Sequence, residues 1–310
     1  MALKIIKTAE LKVTNVVVTI YGSPSSGKTS LGFTAKNPLV LDFDNGSHRA
    51  HGLSGNEAVV KCQNWADVQN ISKSDLDGFD TLVIDTVGAM TSAIQTQLEQ
   101  RGMVGFKLFG EVGNTYKSFV NKIKSWGKDL VFIAHFSEEK KGENIVTRLD
   151  TVGSVSKNSV YQSSDLLGYL SSEKGVRTLD FDAGDGKIGK NTGNFTAINL
   201  TATKTTLAEI IEQLKTKVNE ASALAIERNR LYNEAVDLMS LANDVSNLNV
   251  LMSNVAISSN NELKFKLVER GKELNVVFDK TQKCFIEPAV EIANDREVEK
   301  DNSVVEDELV

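Results

Sequence analysis

The sequence predicts an α/β fold in which a mostly parallel sheet is flanked by helices and followed by a mainly helical C-terminal domain. Three observations predict it. Short β-branched runs bounded by turn residues alternate with stretches of helical spacing over the first two thirds of the chain. From Leu207 the texture changes to a long glycine-free segment rich in Leu, Ala, Glu and Lys. The length of 310 residues exceeds what one hydrophobic core usually fills, about 250 to 300 residues. We therefore expect one α/β unit over 1–204, a helical unit over 205–286 and an acidic, disordered tail over 287–310.

Taken in order, Val16 to Tyr21 reads as a strand and Thr29 to Ala35 as a helix, with strands at Leu39 to Phe43 and Thr81 to Asp85. Helical spacing returns at Gly88 to Arg101 and Thr115 to Trp126, and Asp129 to His135 is again strand-like. Two shorter strands, Leu166 to Leu170 and Val176 to Phe181, lead into the Gly-rich AGDGKIGKNTGN, which reads as the far edge of the core. Beyond the long helical run, patches at Leu248 to Val255 and Glu262 to Arg270 precede the strand-like LNVVFD and KCFIEP.

Composition narrows the class. A hydrophobic share of 41% with 25% charged residues is that of an ordinary globular protein and excludes a wholly disordered or collagen-like chain. The N-terminus interleaves lysines with apolar residues, and VVVTIY is far too short to cross a bilayer, so we expect no membrane partner. Cys62 and Cys284 lack CxxC spacing, and His48 and His51 have no zinc-type partners. A reducing cytoplasm is the expected compartment. The net charge of -6 comes from the end of the chain: nine acidic residues against Arg296 and Lys300 between Glu287 and Val310 leave the remainder at +1. An acidic balance of this kind does not exclude nucleic acid as a partner.

The string GSPSSGKT, Gly22 to Thr29, satisfies G-x-x-x-x-G-K-[ST] between an apolar strand and a helix, the context that motif requires. Its glycines let the backbone N–H groups of Gly22, Ser23, Pro24–Ser30 turn inward around phosphates, Pro24 itself lacking an N–H, and the helix that follows adds its positive end. Within this phosphate loop, contributed by Gly22, Ser23, Pro24, Ser25, Ser26, Gly27, Lys28, Thr29 and Ser30, Lys28 reaches the β- and γ-phosphates and the Thr29 hydroxyl holds Mg2+. Mg2+ also needs a carboxylate at the tip of a neighbouring strand, and TLVID ends on Asp85.

IYGSPSSGKTSL at Ile20 to Leu31, VIDTVGAM at Val83 to Met90, LDFDNGSHRA at Leu41 to Ala50 and VFIAHFSEEK at Val131 to Lys140 resemble the corresponding segments of phage RecA-like P-loop ATPases of the single-strand annealing and recombination type. The resemblance covers about residues 10 to 200. It implies a RecA-like core, ATP and Mg2+ as ligands, and ATP hydrolysis stimulated by DNA. It places the water-activating acid at Asp44, with Asp42 as a second choice, and a γ-phosphate sensor at His135.

The same resemblance implies single-stranded DNA as partner, along two segments after the Asp85 and His135 strands. RGMVGFKLFGEVGN offers Arg101, Phe106, Lys107 and Phe109, and FSEEKKGEN offers Phe136, Lys140 and Lys141; aromatic faces with basic groups suit base stacking and backbone neutralisation. It further implies a homo-oligomer, ring or filament, with Lys187 and Lys190 reaching a neighbouring subunit's site, and a single-strand-binding protein or other recombination partner. Alternatives stay open: a helicase loader, a small-molecule kinase, or an annealing module that uses ATP only as an assembly switch. A kinase would want an arginine-rich lid, and Arg148 stands nearly alone between 102 and 176.

Overall fold

A computed structural model describes residues 7, 10–50, 54–141, 144–184 and 186–288, without the side chains of 141, 144, 145 and 154–157. The acidic run from 289 onward, His51 and the Lys141 side chain lie outside the described residues.

The chain runs β1 (Val17–Tyr21), α1 (Lys28–Gly32), β2 (Pro38–Asp42), β3 (Ala58–Lys61), β4 (Thr81–Asp85), α2 (Val87–Gln100), α3 (Gly105–Ser125), β5 (Asp129–Ala134), β6 (Phe136–Lys141), β7 (Asn144–Leu149), α4 (Gly153–Ser163), β8 (Leu166–Glu173), β9 (Val176–Asp180), β10 (Lys190–Asn191), β11 (Ile198–Asn199), α5 (Leu200–Thr203) and α6 (Leu207–Leu241). The main sheet has the order β11-β9-β8-β1-β5-β4-β2-β3, with β10 pairing β8 from the side. From β8 to β3 every pairing is parallel, whereas β9, β10 and β11 pair antiparallel. Parallel strands covered on both faces read as unbroken apolar runs. VVTIY, TLVID and DLVFIA, buried at every position, are such runs.

The two faces follow from the period of two along each strand. Tyr21, Leu41, Ile84 and Phe132 point to the side covered by Met90 and Ile94 of α2, Val112 and Phe119 of α3, and Val160 of α4. Ile20, Val40, Val83 and Ile133 point to the other side, against Leu31 of α1 and Leu207, Ile210, Ile211 and Leu214 of α6. The start of α6 is fixed by reciprocal capping: the Thr206 N–H donates to Glu209 Oε2 at 2.9 Å and the Glu209 N–H to Thr206 Oγ1 at 3.2 Å. A buried ion pair closes the far end of the sheet, where Lys215 Nζ meets Asp129 Oδ2 at 2.7 Å.

Contacts divide the chain into Met1–Ala223 and Leu224–Val310. The change of texture at Leu207 therefore precedes the contact boundary, because the first turns of α6 are core residues of the first unit. The second unit takes the end of α6, then α7 (Val245–Met252), α8 (Val255–Ser258), α9 (Asn261–Glu273) and a hairpin of β12 (Val277–Asp279) with β13 (Cys284–Ile286). Its core gathers Met239, Leu248, Ile257, Leu263, Leu267 and Phe285. Among the described residues, no helix is long and apolar enough to cross a membrane.

Two segments expected as loops are regular structure. The expected helix Thr115 to Trp126 begins ten residues earlier, at Gly105, so Phe106, Lys107 and Phe109 sit in the first turns of α3. Gly110 and Gly113 lower helix propensity by about 1 kcal/mol each relative to alanine. Packing of Leu108, Val112 and Tyr116 outweighs that local preference. Phe136–Lys141 likewise forms β6, paired antiparallel with β7 in the register Phe136↔Leu149 through Lys141↔Asn144. The glycine-rich segment is not free of the sheet either, since Lys190 and Asn191 pair with Leu167 and Leu166.

Candidate functional site

At its C-terminal end β1 passes between β5 and β8, and the turn that follows has little room. A Cβ on Gly22 would lie 2.3 Å from the Leu170 carbonyl oxygen, so only glycine lets the loop leave the sheet here. Gly27, just before α1, has φ of 92°, a left-handed conformation that side chains disfavour. Between these points the chain curls so that Lys28, only 6% exposed, donates from Nζ to the carbonyls of Gly22 and Ser23, both at 2.9 Å. Burial holds its ammonium below the usual lysine range, opposed by the carboxylates of Asp85 and Asp44.

Thr29, the first residue beyond, donates from Oγ1 to Asp85 Oδ2 at 2.7 Å. Asp85 ends β4, a buried strand, and its carboxyl is pushed up to about 6 by burial and by the neighbouring Asp42 and Asp44, against the Thr29 hydrogen bond and Lys28. A hydroxyl beside a carboxylate at a strand tip is an oxygen donor set suited to a hard divalent cation such as Mg2+, and such a cation would relieve the crowding of negative charge.

The turn after β2 supplies the opposite wall. Asp42 is buried, and its two carboxylate oxygens accept the Gly46 and Ser47 N–H groups at 3.1 and 2.9 Å. It therefore organises the turn, which explains why the second-choice acid faces backbone. Asp44 is the one presented outward: its Oδ2 lies 3.3 Å from His135 Nε2. That imidazole, with Thr86 and Arg49 contributing, holds the Asp44 carboxyl below the usual range despite partial burial. His135 itself directly follows β5, the strand lying between β1 and β4, which places the imidazole between the lysine loop and the Asp85 tip.

A cavity of about 570 Å3 joins these parts, lined by Lys28, Thr29, Asp44, Asp85 and His135 together with Pro24, Ser25, Gly27 and Ser30. Two further lining groups, Arg49 and Thr86, escaped the reading of the sequence. Arg49 follows the Asp-Asn-Gly turn, and a Cβ on Gly46 would sit 2.8 Å from its Nη2, so glycine there lets the guanidinium fold over the loop toward the cavity. Thr86 also caps α2 by accepting the Ala89 N–H at 3.3 Å. Two cations, Lys28 and Arg49, lining one cavity with a hydroxyl–carboxylate pair suit a polyphosphate with its metal ion.

The remaining predicted residues lie apart from this cavity's lining. Phe106 is 98% exposed and Phe109 is 38% exposed, its ring packing at Gly153. Arg101 and Lys107 are exposed, as is Lys140 on β6. Phe136 is not available for base stacking, because it packs edge-on against Tyr21 and Tyr169 at 5.7 and 5.8 Å. Lys187 pairs with Asp180 at 3.7 Å and lies over the Tyr169 ring, and Lys190 donates to the Gln162 carbonyl at 3.3 Å. Both lysines thus have partners within their own chain.

A family profile described as an AAA domain matches residues 14–193. The SPbeta prophage-derived uncharacterized protein YorG of Bacillus subtilis (strain 168) is 30% identical over 142 residues, covering 41% of this chain and 43% of that protein. The match thus spans less than half of that relative's length.

Proposed function

The chain belongs to the AAA domain family, whose members in general hydrolyse nucleotides, and on that premise we propose a phage-type, RecA-like ATPase that binds and anneals single-stranded DNA under the control of ATP. The observation that carries the ATPase part is the convergence of Lys28, the Thr29–Asp85 pair and the Asp44–His135 pair on one cavity. Lys28 exchanges its two loop carbonyls for β- and γ-phosphate oxygens. Thr29 and Asp85 would hold Mg2+, which would supply positive charge against the phosphates. Asp44, kept as a carboxylate, accepts the proton of the attacking water, and Arg49 adds positive charge beside the γ-phosphate. His135 orients Asp44 and reports on the phosphate to β6, the next residue along the chain.

The prophage-derived relative supports a phage setting. Support for DNA comes from the exposed Phe106 ring with Lys107, Phe109 and Arg101 nearby in sequence, and from Lys140 on the hairpin that begins beside His135. Lys187 and Lys190 would have to leave their present partners to serve a neighbouring subunit of a ring or filament. The test is fluorescence anisotropy of a labelled single-stranded oligonucleotide, with and without Mg2+ and a non-hydrolysable ATP analogue. Tighter binding with the analogue is expected; no binding, or binding indifferent to nucleotide, contradicts the DNA reading.

A further inference from the structure

A second cavity, of about 640 Å3, opens on the α1 and β9 side of the phosphate loop and shares Ser25, Gly27 and Ser30 with the first. We propose that it is the nucleoside subsite, and that Arg177 stacks on the base of the bound nucleoside triphosphate. This inference rests on the nucleotide reading above and names where the non-phosphate end of the ligand lies.

Three observations carry it. The shared loop residues make the two cavities neighbours, so a ligand whose phosphates occupy the first has room to extend into the second. Ser26, which lines the second cavity, is only 3% exposed, and its Oγ has no hydrogen-bond partner among the described residues, which leaves a polar group of the loop unsatisfied there. The third is Arg177. Its Nη1 lies 2.9 Å from where a Cβ on Gly27 would stand, so the guanidinium rests directly on the phosphate loop. It makes no ion pair among the described residues, although Arg177 is partly buried.

Arg177 is also held in place. Its N–H donates to Thr201 Oγ1 at 2.8 Å, and that hydroxyl donates to the Gly175 carbonyl at 3.3 Å, fastening the β8–β9 turn to α5. The rest of the lining matches a nucleoside in kind. Phe33 gives an apolar edge, and Glu57, whose carboxylate is fixed by the Ser54 and Gly55 N–H groups at 2.6 and 2.9 Å, retains lone pairs for ribose hydroxyls. A planar cation facing a mixed apolar and hydroxylic wall favours a heteroaromatic base on a sugar over a purely anionic ligand.

Isothermal titration calorimetry of the full chain with ATP and with inorganic tripolyphosphate, both with Mg2+, tests the assignment. Arg177→Ala should weaken ATP by about tenfold while leaving tripolyphosphate within about twofold, the retained tripolyphosphate binding showing that the variant is folded. Arg177→Lys, which keeps the charge and loses the plane, should not restore ATP affinity. Equal weakening of both ligands by Arg177→Ala, with rescue by lysine, would assign Arg177 to the phosphates and overturn the proposal, as would unchanged affinity for both. Lys28→Ala should lose both ligands; if the wild-type chain binds neither, it is the nucleotide reading itself that falls.

Discussion

Lys28 is 6% exposed and holds two carbonyls at 2.9 Å, whereas Phe106 in the first turn of α3 is 98% exposed. Around Lys28 the charged groups answer one another: Thr29 meets Asp85, Asp44 meets His135, and Asp42 ties down its own turn. Around Phe106 no comparable set of paired charges is present among the described residues, and the role proposed for it depends on a partner. The contrast separates two kinds of functional residue. Buried polar groups are costly unless their positions are fixed, so they act on a ligand that fits a preset arrangement. Exposed aromatic and basic side chains are cheap to present and draw their energy from the partner they cover.

The sharpest way to break this comparison is at the buried side. Lys28→Ala should abolish ATP turnover, and Asp85→Ala should lower Mg2+-dependent turnover by about two to three orders of magnitude, both read as phosphate release. Near-native turnover in either variant would remove that residue from the site. The next effect is on stability rather than activity. Lys215→Met leaves Asp129 as a buried unpaired carboxylate and should cost about 3 kcal/mol in urea unfolding. Removing Arg230, which pairs with Glu227 at 2.7 Å in a solvent-exposed setting, should leave the urea midpoint almost unchanged, because water and salt screen that pair. Equal losses would show that burial is not what distinguishes the two pairs.

On the exposed side, replacing Phe106 and Phe109 together by alanine should weaken single-stranded DNA binding by about 1 to 3 kcal/mol per stacked base. Because Phe109 also packs at Gly153, the single Phe106→Ala variant separates stacking from packing. DNA affinity unchanged in both variants moves the DNA face elsewhere. The smallest effect concerns thiols. Burial pushes the Cys62 thiol up to about 12, with Asp67 and Asp42 adding to the rise, so almost no thiolate exists at pH 8. A maleimide reagent should label the partly exposed Cys284 and reach Cys62 only in denaturant, which peptide mass mapping reads directly.

How much of this was legible in the sequence follows the same division. GSPSSGKT and TLVID could be read because each needs only a strand, a turn and a helix start within a few residues, and TLVID is a strand with the bounds expected. That β5 separates β1 from β4, and so puts His135 between them, is a matter of strand order that no local string encodes. Arg49 is not legible as a site residue in the sequence, because its place depends on Asp42 folding the turn and on the missing Cβ of Gly46. The start of α3 is not legible because Gly110 and Gly113 argue against a helix that packing supports. The hairpin was hidden because FSEEKK lacks the apolar alternation of a half-buried strand. Lys187 and Lys190 are expected to reach a neighbouring subunit, and the partners they have within their own chain, Asp180 and the Gln162 carbonyl, come from other elements.

The central claim joins the two regions: nucleotide chemistry at the buried site responds to DNA at the exposed one. Steady-state phosphate release by the full chain, with Mg2+-ATP and with or without single-stranded DNA, tests it most directly when wild type, Lys28→Ala and Phe106→Ala/Phe109→Ala are compared. The account predicts turnover that rises with DNA in the wild type, is absent in the lysine variant and loses its stimulation, but not its basal rate, in the phenylalanine variant. Turnover in the wild type that is indifferent to DNA, or that survives Lys28→Ala, would contradict it.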